Sequence, residues 1–317
     1  MIEKKIKQVH FQITRNCNLR CPFCGQWGKK GFFADSSGSP MSIDDWKNII
    51  SQLVEYRETH GENITVTVWG GEPMVSQYFD ELLVLLKEKN FNTEVITNGV
   101  LINEHFNVLS TCVDRLYVSI DGPEAVHDEI RGKGVYQRVT TALKALAHPN
   151  VTVMSVITQK LLSSLPEFME GLNSLGIKDL YLQDMIALSK DEINEYKAWL
   201  KGDFDIDARD IDSWESSTGC NGKILDGIDT GKYNYTVTHK IHTDDCTIHC
   251  LSPFRHVHIA WNGEVLYCTD FYDFSAGNIR DDTLENIFLN EKSEKYRAGV
   301  VNNKCATCRH CSWRISR

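Results

Sequence analysis

The chain has 317 residues, of which 42% are hydrophobic, and this is enough for one large core with an appended module. Its 34 basic and 43 acidic residues give a net charge of −9, which argues against a nucleic-acid-binding surface. No apolar run approaches the roughly 18 residues that a membrane span needs, and the N-terminus lacks the apolar region of a secretory signal. Eleven cysteines, clustered towards the two ends of such a chain, indicate metal ligation in a cytoplasmic protein rather than disulfides.

Strands and helices are predicted to alternate along the first part of the chain. The strands are predicted at 9–14, 64–69, 93–97, 116–120, 151–157 and 180–183, and the helices at 42–56, 79–89, 103–110, 135–147 and 164–175. Ser42 and Asp45 have the spacing of a capping box at the start of the first helix. Six βα units of this kind predict a parallel sheet, either a partial barrel or a doubly wound sheet. In both architectures the loops at the C-terminal ends of the strands form the working face.

Three cysteines, Cys17, Cys21 and Cys24, lie in the first of these loops. Four ligands would make a closed structural site, whereas three leave one position open for chemistry. A [4Fe–4S] cluster held by three cysteines would have one iron free to bind a substrate or cofactor. The spacing alone leaves open a zinc site completed by a distant histidine, or three unrelated thiols.

The cysteine loop and a glycine pair together resemble a known family. The spacing C-x3-C-x2-C, with the aromatic Phe23 before the last cysteine, resembles the hallmark of the radical S-adenosylmethionine (SAM) enzymes. Gly70, Gly71, Glu72 and Pro73 end the second strand, where the family has a G-G-E-P loop that binds the amino group of SAM. Two glycines allow close approach of a backbone to a ligand, and their carbonyls and the carboxylate suit an ammonium group.

Two later strand ends extend the resemblance over residues 9–183. Ser119 and Arg131 match a family stretch whose serine and arginine hold the ribose and the carboxylate of SAM, and Asn98 ends the third strand. Arginine suits a carboxylate because its guanidinium can bind both oxygens. The resemblance implies reductive cleavage of SAM to a 5′-deoxyadenosyl radical, with electrons from a donor such as flavodoxin or ferredoxin.

The βα pattern ends near residue 204, so we predict a radical SAM core domain at 1–204 and an auxiliary-cluster domain at 205–317. The acidic segment 203–214 is interpreted as a linker or a solvated helix face. A hairpin signal at Asn262 and Gly263 would bring Cys268 back opposite Val257. The predicted fold class is therefore α/β, a partial (β/α)6 barrel with a smaller cysteine-rich hairpin domain.

The tail cysteines resemble the SPASM/twitch extension of one branch of the family. Four of them would ligate an auxiliary [4Fe–4S] cluster, and the candidates are Cys250, Cys268, Cys305, Cys308 and Cys311, with Cys246 as a substitute. A zinc ribbon uses similar spacing and stays open as an alternative. The full SPASM pattern has further cysteines after its CxxC motif, whereas this sequence stops at residue 317. One auxiliary cluster is therefore expected rather than two.

Three functions are compatible with these motifs. We predict a maturase that epimerises or cross-links a ribosomally made peptide, because the stretch 119–132 resembles peptide-modifying members and an acidic protein suits a basic peptide. The alternatives are a dehydrogenase or epimerase of a small amino sugar, and a non-catalytic iron–sulfur or zinc protein. Cys220, in a glycine-flanked loop, is a candidate hydrogen donor for an epimerase or else an incidental thiol, whereas Cys112 is expected in the core.

Overall fold

Ten strands in one sheet organise the part of the chain that the computed structural model describes, which is residues 2–27, 31, 38–184, 186–215, 236–239, 250–302 and 304–305. The strands are β1 (Gln8–Thr14), β2 (Thr65–Gly70), β3 (Asn92–Thr97), β4 (Arg115–Ser119), β5 (Val151–Ile157), β6 (Asp179–Asp184), β7 (Thr236–His239), β8 (His256–Ile259), β9 (Glu264–Leu266) and β10 (Gly277–Asn278). Their order across the sheet is β10-β9-β8-β1-β2-β3-β4-β5-β6-β7.

Helices follow each of the first six strands. They are α1 (Ile43–His60), α2 (Phe79–Glu88), α3 (Phe106–Cys112), α4 (Glu124–Arg131), α5 (Val135–Leu146), α6 (Gln159–Ser163), α7 (Leu165–Ser174) and α8 (Lys190–Phe204), with α9 (Ser252–Arg255), α10 (Leu284–Leu289) and α11 (Glu291–Val301) in the tail. None of these described helices is long and apolar enough to cross a membrane.

Strands β1 to β6 lie side by side in chain order, and each pairs in parallel with the next. A doubly wound sheet would reverse its strand order, whereas this order never reverses. The chain therefore forms a partial (β/α)6 barrel, and the six predicted strands are confirmed. The order also brings the C-terminal ends of all six strands to one face.

The start and the buried face of helix α1 follow from its local sequence. The Ser42 hydroxyl accepts a hydrogen bond from the Asp45 N–H, and the Asp45 carboxylate accepts one from the Ser42 N–H, which completes the predicted capping box. Trp46, Ile50 and Leu53 form the buried face. Cys112, at the end of α3, is buried with 7% exposure, so its predicted place in the core is confirmed.

The C-terminal hairpin continues the barrel sheet. Strand β8 pairs in parallel with β1, on the side away from β2, and β9 pairs antiparallel with β8. At the opposite edge β7, which the sequence analysis did not predict, pairs in parallel with β6. Helix α8 ends at Phe204, next to the predicted domain boundary at 205, and that boundary stays a prediction.

The hairpin turn differs by one residue from the predicted turn. The Gly263 N–H donates to the Ala260 carbonyl, and the Ala260 N–H donates to the Glu264 carbonyl. Trp261 and Asn262 are therefore the central residues of the turn. Gly263 follows them with a φ of 89°, a left-handed conformation that favours glycine.

This shift moves the predicted partner of the hairpin cysteine. The antiparallel register pairs His258 with Leu266. This register is shifted by one residue from the register that would set Cys268 opposite Val257, so that predicted pairing was wrong. Because side chains alternate along a strand, one residue of shift decides which face of the sheet a thiol joins.

The acidic segment after α8 is only partly a solvated linker. Its second half forms a 3₁₀ turn, Asp210–Trp214. The Asp273 carboxylate accepts hydrogen bonds from the three backbone N–H groups at 209–211, at distances of 2.6, 2.8 and 3.0 Å. The turn is therefore tied to the rest of the protein by a carboxylate about sixty residues away in the sequence, a contact that the interpretation as a linker or a solvated helix face did not include.

Candidate active site

The three N-terminal thiols lie in the loop between β1 and α1. The Leu19 N–H donates to Cys17 Sγ and the Trp27 N–H to Cys24 Sγ, both at 3.4 Å. Burial raises the pKa of the Cys17 thiol to about 11 and also raises the pKa of Cys21. Cys17 and Cys21 therefore hold their protons more tightly than a free cysteine does, and a metal centre would have to displace these protons.

The glycine pair lets two loops touch. A Cβ on Gly70 would lie 2.3 Å from the Thr14 carbonyl oxygen, and a Cβ on Gly71 would lie 2.4 Å from the carbonyl oxygens of Arg15 and Asn16. The Gly71 N–H donates to the Thr14 carbonyl at 3.0 Å. The sequence analysis explained the glycines by the approach of a ligand. The structure shows that the approach of the cysteine loop already requires them.

The Glu72 side chain is fully buried and lies behind the cavity wall described below. Its carboxylate accepts hydrogen bonds from the Met74 N–H, the Thr97 hydroxyl and the Asn98 N–H, at 3.2, 2.8 and 2.8 Å. Burial raises the pKa of Glu72 to about 7, although these donors act in the opposite direction. This differs from the predicted contact with an ammonium group, since Glu72 ties the loop after β2 to the loop after β3. Pro73, which is itself buried, begins a 3₁₀ turn next to it.

Asn98 and Ser119 come from the ends of the next two strands. The Asn98 side-chain amide donates to Asn18 Oδ1 at 2.7 Å, which links the loop after β3 to the cysteine loop. Ser119 is the last residue of β4 and lies on the cavity wall. Parallel strands bring such residues together because their C-terminal ends share one edge.

Arg131, at the end of α4, is held by a buried ion pair. Its Nε donates to Asp121 Oδ2 at 2.6 Å, and the two side chains are 11% and 0% exposed. Asp121 Oδ1 accepts from the Val156 N–H at 2.9 Å, so the carboxylate itself is fixed. Within the described residues no hydrogen bond engages the Arg131 Nη groups. The protein thus fixes one edge of the guanidinium and leaves the other for a ligand.

One cavity of about 300 Å³ collects most of these predicted residues. It is lined by Cys17, Cys21, Phe23, Cys24, Gly70, Gly71, Asn98, Ser119 and Arg131. It opens at the C-terminal ends of the strands, where the working face was predicted. Glu72 and Pro73 are the two predicted residues of this group that do not reach the wall.

Five further residues of the cavity wall were not predicted. They are His10, Trp69, Asp184, Trp214 and Asp270. Alternation along β1 and β2 could have indicated His10 and Trp69, whereas no local pattern places Trp214 and Asp270. Burial lowers the pKa of His10 to about 3 and raises the pKa of Asp270 to about 6.

A second cavity of about 290 Å³ adjoins the first and is lined by Cys250 and Cys268. His10 and Asp270 lie on the walls of both cavities. Burial raises the pKa of Cys268 well above its usual range, and Cys305 is buried with 5% exposure. The other cysteines of interest, Cys220, Cys246, Cys308 and Cys311, lie outside the described residues. The ligand role of each tail cysteine stays a prediction.

The thiol loop offers what an iron–sulfur cluster needs. Its three thiols lie on the wall of one cavity, and backbone N–H groups donate to two of the sulfurs. A cuboidal iron–sulfur cluster keeps its ligating sulfurs farther apart than a tetrahedral ion does, and it accepts N–H donors at those sulfurs.

Comparison with known proteins gives the class. Residues 11–159 match the model of the radical SAM superfamily, and the chain belongs to this superfamily. Residues 250–312 match the SPASM model, an iron–sulfur cluster-binding domain, so the chain belongs to the SPASM-containing branch. Its cofactors are a SAM-binding [4Fe–4S] cluster and auxiliary iron–sulfur chemistry in the tail, which confirms the predicted resemblance.

Three proteins illustrate what the chain is similar to. The tungsten-containing aldehyde ferredoxin oxidoreductase cofactor-modifying protein of Pyrococcus furiosus is 23% identical over 98% of this chain and 88% of its own length. The sporulation killing factor maturation protein SkfB of Bacillus subtilis is 31% identical over 46% of this chain, and the match spans 34% of SkfB. Streptococcus suis SuiB, solved with its precursor peptide SuiA, has a TM-score of 0.66 at 15% identity, over 98% of this chain and 72% of SuiB. This last likeness shows a shared fold.

Proposed function

We propose that the chain is a radical SAM enzyme that modifies a ribosomally made peptide, by epimerising a residue or by forming a cross-link. The observation that carries the proposal is the single cavity on which the thiol loop, the glycine pair, Ser119 and Arg131 converge. SkfB, whose name describes a maturation protein, and SuiB, whose structure contains a precursor peptide, support the choice of a peptide.

Each part of the cavity has a distinct task in this proposal. Cys17, Cys21 and Cys24 would hold the cluster, with backbone N–H groups directed at two of the sulfurs. The Nη groups of Arg131 would bind the carboxylate of SAM, and Ser119 would bind its ribose. When bound, the cluster and SAM supply a 5′-deoxyadenosyl radical that abstracts a hydrogen atom from the substrate.

The remaining residues position these groups and exclude water. Glu72 ties two strand-end loops together through three accepted hydrogen bonds, so neither loop moves independently of the other. The hairpin strand β8 lies beside β1, which brings the tail against the cavity. Shielding of the cavity from solvent matters because a carbon radical reacts with any accessible C–H bond.

A small-molecule substrate is the second candidate. The relative from Pyrococcus furiosus, matched over nearly the whole chain, is named for modifying a cofactor rather than a peptide. An amino-sugar dehydrogenase or epimerase would belong to the same small-molecule group. In either case we propose 205–317 as the auxiliary-cluster domain and a flavodoxin or ferredoxin as the electron donor.

The deciding experiment uses anaerobically reconstituted protein with dithionite and SAM. We expect 5′-deoxyadenosine to form. If a short precursor peptide is encoded beside the gene, that peptide should speed this reaction and should itself change in mass. A matched variant with Cys17, Cys21 and Cys24 replaced by alanine should make none. Turnover of a small molecule but of no peptide would transfer the proposal to the second candidate.

A further inference from the structure

Trp214 connects the cysteine loop to the tail. Its ring packs on Gly25, the residue after Cys24, where a Cβ would lie 2.4 and 2.5 Å from the Trp214 atoms Cζ2 and Cη2. Its indole Nε1 donates to the Asp270 backbone carbonyl at 3.1 Å. Trp214 is only half-buried, and it lies on the wall of the cavity of about 300 Å³. It is therefore a wall residue of the site rather than a side chain of the core.

The turn that carries Trp214 is held by one carboxylate. Asp273 accepts hydrogen bonds from the three backbone N–H groups at 209–211, at distances of 2.6 to 3.0 Å. The Trp214 carbonyl accepts from the Leu188 N–H at 3.0 Å, which ties the end of the turn to the segment between β6 and α8. Because the backbone and the indole nitrogen are both fixed, the ring cannot leave Gly25 without loss of a hydrogen bond.

The two halves of the cysteine loop are supported from different sides. The first half lies against the barrel, where the glycine pair touches it and the Asn98 side-chain amide donates to Asn18. The second half, at Gly25, lies against the ring of Trp214, which the tail holds. A group bound by all three thiols requires both halves at a fixed separation, because bound geometries tolerate errors of only about 0.5 Å.

We propose that Trp214 is a positioning residue for the SAM-binding cluster, that it acts through Gly25, and that Asp273 positions Trp214 for this task. The cluster must face Ser119 and Arg131 across the same cavity. A displacement of about 1 Å in such a site can slow a reaction by about a hundredfold. The inference applies to a peptide and to a small-molecule substrate alike, so it goes beyond the proposed function. It gives the tail a task in SAM cleavage through a packing contact.

The main test is a double-mutant cycle on the anaerobically reconstituted holoenzyme. The φ of Gly25 lies outside the left-handed region, and the three atoms nearest to an added Cβ all belong to Trp214. Gly25→Ala should therefore slow SAM cleavage with dithionite about tenfold and change the electron paramagnetic resonance (EPR) spectrum of the reduced protein, with its iron content unchanged. Trp214→Ala should act in the same direction. In the Trp214→Ala background, Gly25→Ala should add little, because the atoms that it would overlap are gone.

Asp273 is tested by the same measurements. Asp273→Ala removes the acceptor of three N–H groups, and it should slow SAM cleavage as Trp214→Ala does. Asp273→Asn keeps one acceptor oxygen and should restore part of the rate. Asp281→Ala, at an exposed carboxylate of the tail, is the matched control and should behave like the natural protein.

Several outcomes would overturn the inference. A natural rate and EPR spectrum in Gly25→Ala, or additive effects in the double variant, would show that the ring does not position the loop. Weaker SAM binding by Trp214→Ala, with an unchanged EPR spectrum in the absence of SAM, would make Trp214 a SAM contact instead. Loss of about four irons from Asp273→Ala would assign Asp273 to the tail cluster.

The design also covers a variant that does not fold. If Gly25→Ala folds only together with Trp214→Ala, the overlap between the two residues is demonstrated. If neither protein folds, Trp214→Ala decides alone, and a natural rate and spectrum in that variant would overturn the inference. Failure of the natural protein to cleave SAM would instead count against the proposed function, while the EPR comparison would still decide the positioning role.

Discussion

Arg131 illustrates how one side chain serves both the site and the fold. Arg131→Ala should weaken SAM binding by about 1.5–3 kcal/mol, the value of a hydrogen bond to a charged group. It should also lower the free energy of unfolding by about 3–5 kcal/mol, because Asp121 would be left as a buried charge without its partner. SAM affinity by equilibrium dialysis and stability by chemical denaturation measure the two effects separately.

Arg131→Lys is the matched control for that change. Lysine keeps the positive charge beside Asp121 but lacks the planar fork, so most of the stability should remain while SAM affinity still falls. If both variants bind SAM as tightly as the natural protein does, Arg131 does not belong to the SAM site.

Glu72 predicts a pH dependence of stability. Its pKa is about 7 in the folded chain and 4.5 in its ordinary state, so the folded state binds the proton more tightly. The resulting stabilisation is present below about pH 4.5 and is lost as the pH rises through 7. Glu72→Gln cannot titrate there. Between pH 5 and 8 the natural protein should therefore lose up to about 3 kcal/mol of unfolding free energy relative to the variant. Denaturant titrations of the two proteins at both pH values measure this difference, and parallel pH profiles would contradict it.

Cys220 gives a prediction that applies if the chain is an epimerase. An epimerase must return hydrogen to the substrate carbon from the opposite face, and a thiol suits this because its S–H bond is weaker than a C–H bond. Cys220→Ala should still form 5′-deoxyadenosine but fail to return hydrogen. In deuterated water the natural enzyme should place one deuterium on that carbon. Full turnover by the variant would exclude Cys220 as the donor.

At the scale of elements, the contact between the loop after β1 and the loop after β2 should be sensitive to any added side-chain atom. Gly71→Ala should lower the free energy of unfolding by about 1–3 kcal/mol and reduce iron binding, because its Cβ would overlap two carbonyl oxygens of the cysteine loop. Gly202→Ala, in helix α8 with no atom within 4 Å of the added Cβ, should raise stability by about 0.5–1 kcal/mol. Thermal unfolding and iron analysis of the two variants test the direction of each change. A Gly71→Ala protein as stable as the natural protein would refute the packing argument.

Local signals explain which elements the sequence predicts well. The capping box of Ser42 and Asp45 involves neighbouring residues only, and it was predicted correctly. The hairpin register was wrong by one residue, because the choice between turn types depends on where Gly263 adopts its left-handed conformation. The turn Asp210–Trp214 was not predicted, because Asp273, which holds it, comes from a distant loop.

At the scale of the whole molecule, iron content tests both cluster sites together. Anaerobically reconstituted protein should contain about eight irons per chain, from one cluster in the barrel and one in the tail. Replacing Cys17, Cys21 and Cys24 by alanine should leave about four. About twelve irons would instead indicate a second auxiliary cluster, and stoichiometric zinc without iron would contradict the cluster assignment.

The candidate site was predictable as far as motifs mark it. The cysteines, the glycine pair, Ser119 and Arg131 follow strand ends, and the parallel topology brings them to one cavity. Glu72 was expected at the amino group of SAM. Its carboxylate lies behind the cavity wall, where it accepts hydrogen bonds from the next strand-end loop. The five wall residues that were not predicted belong to no motif. The sheet places His10, Trp69 and Asp184, whereas Trp214 and Asp270 reach the cavity through packing of segments that are distant in the sequence.

The parallel pairing of β8 with β1 has a consequence for how the chain is made. A ribosome releases residues 8–14 long before residues 256–259, so the first strand waits with one row of backbone N–H and C=O groups unpaired. A nascent barrel in this condition can pair with another copy at that edge, as exposed edge strands do. A fragment cut at residue 204 would remain in that condition permanently, and it should self-associate although all six barrel strands are present.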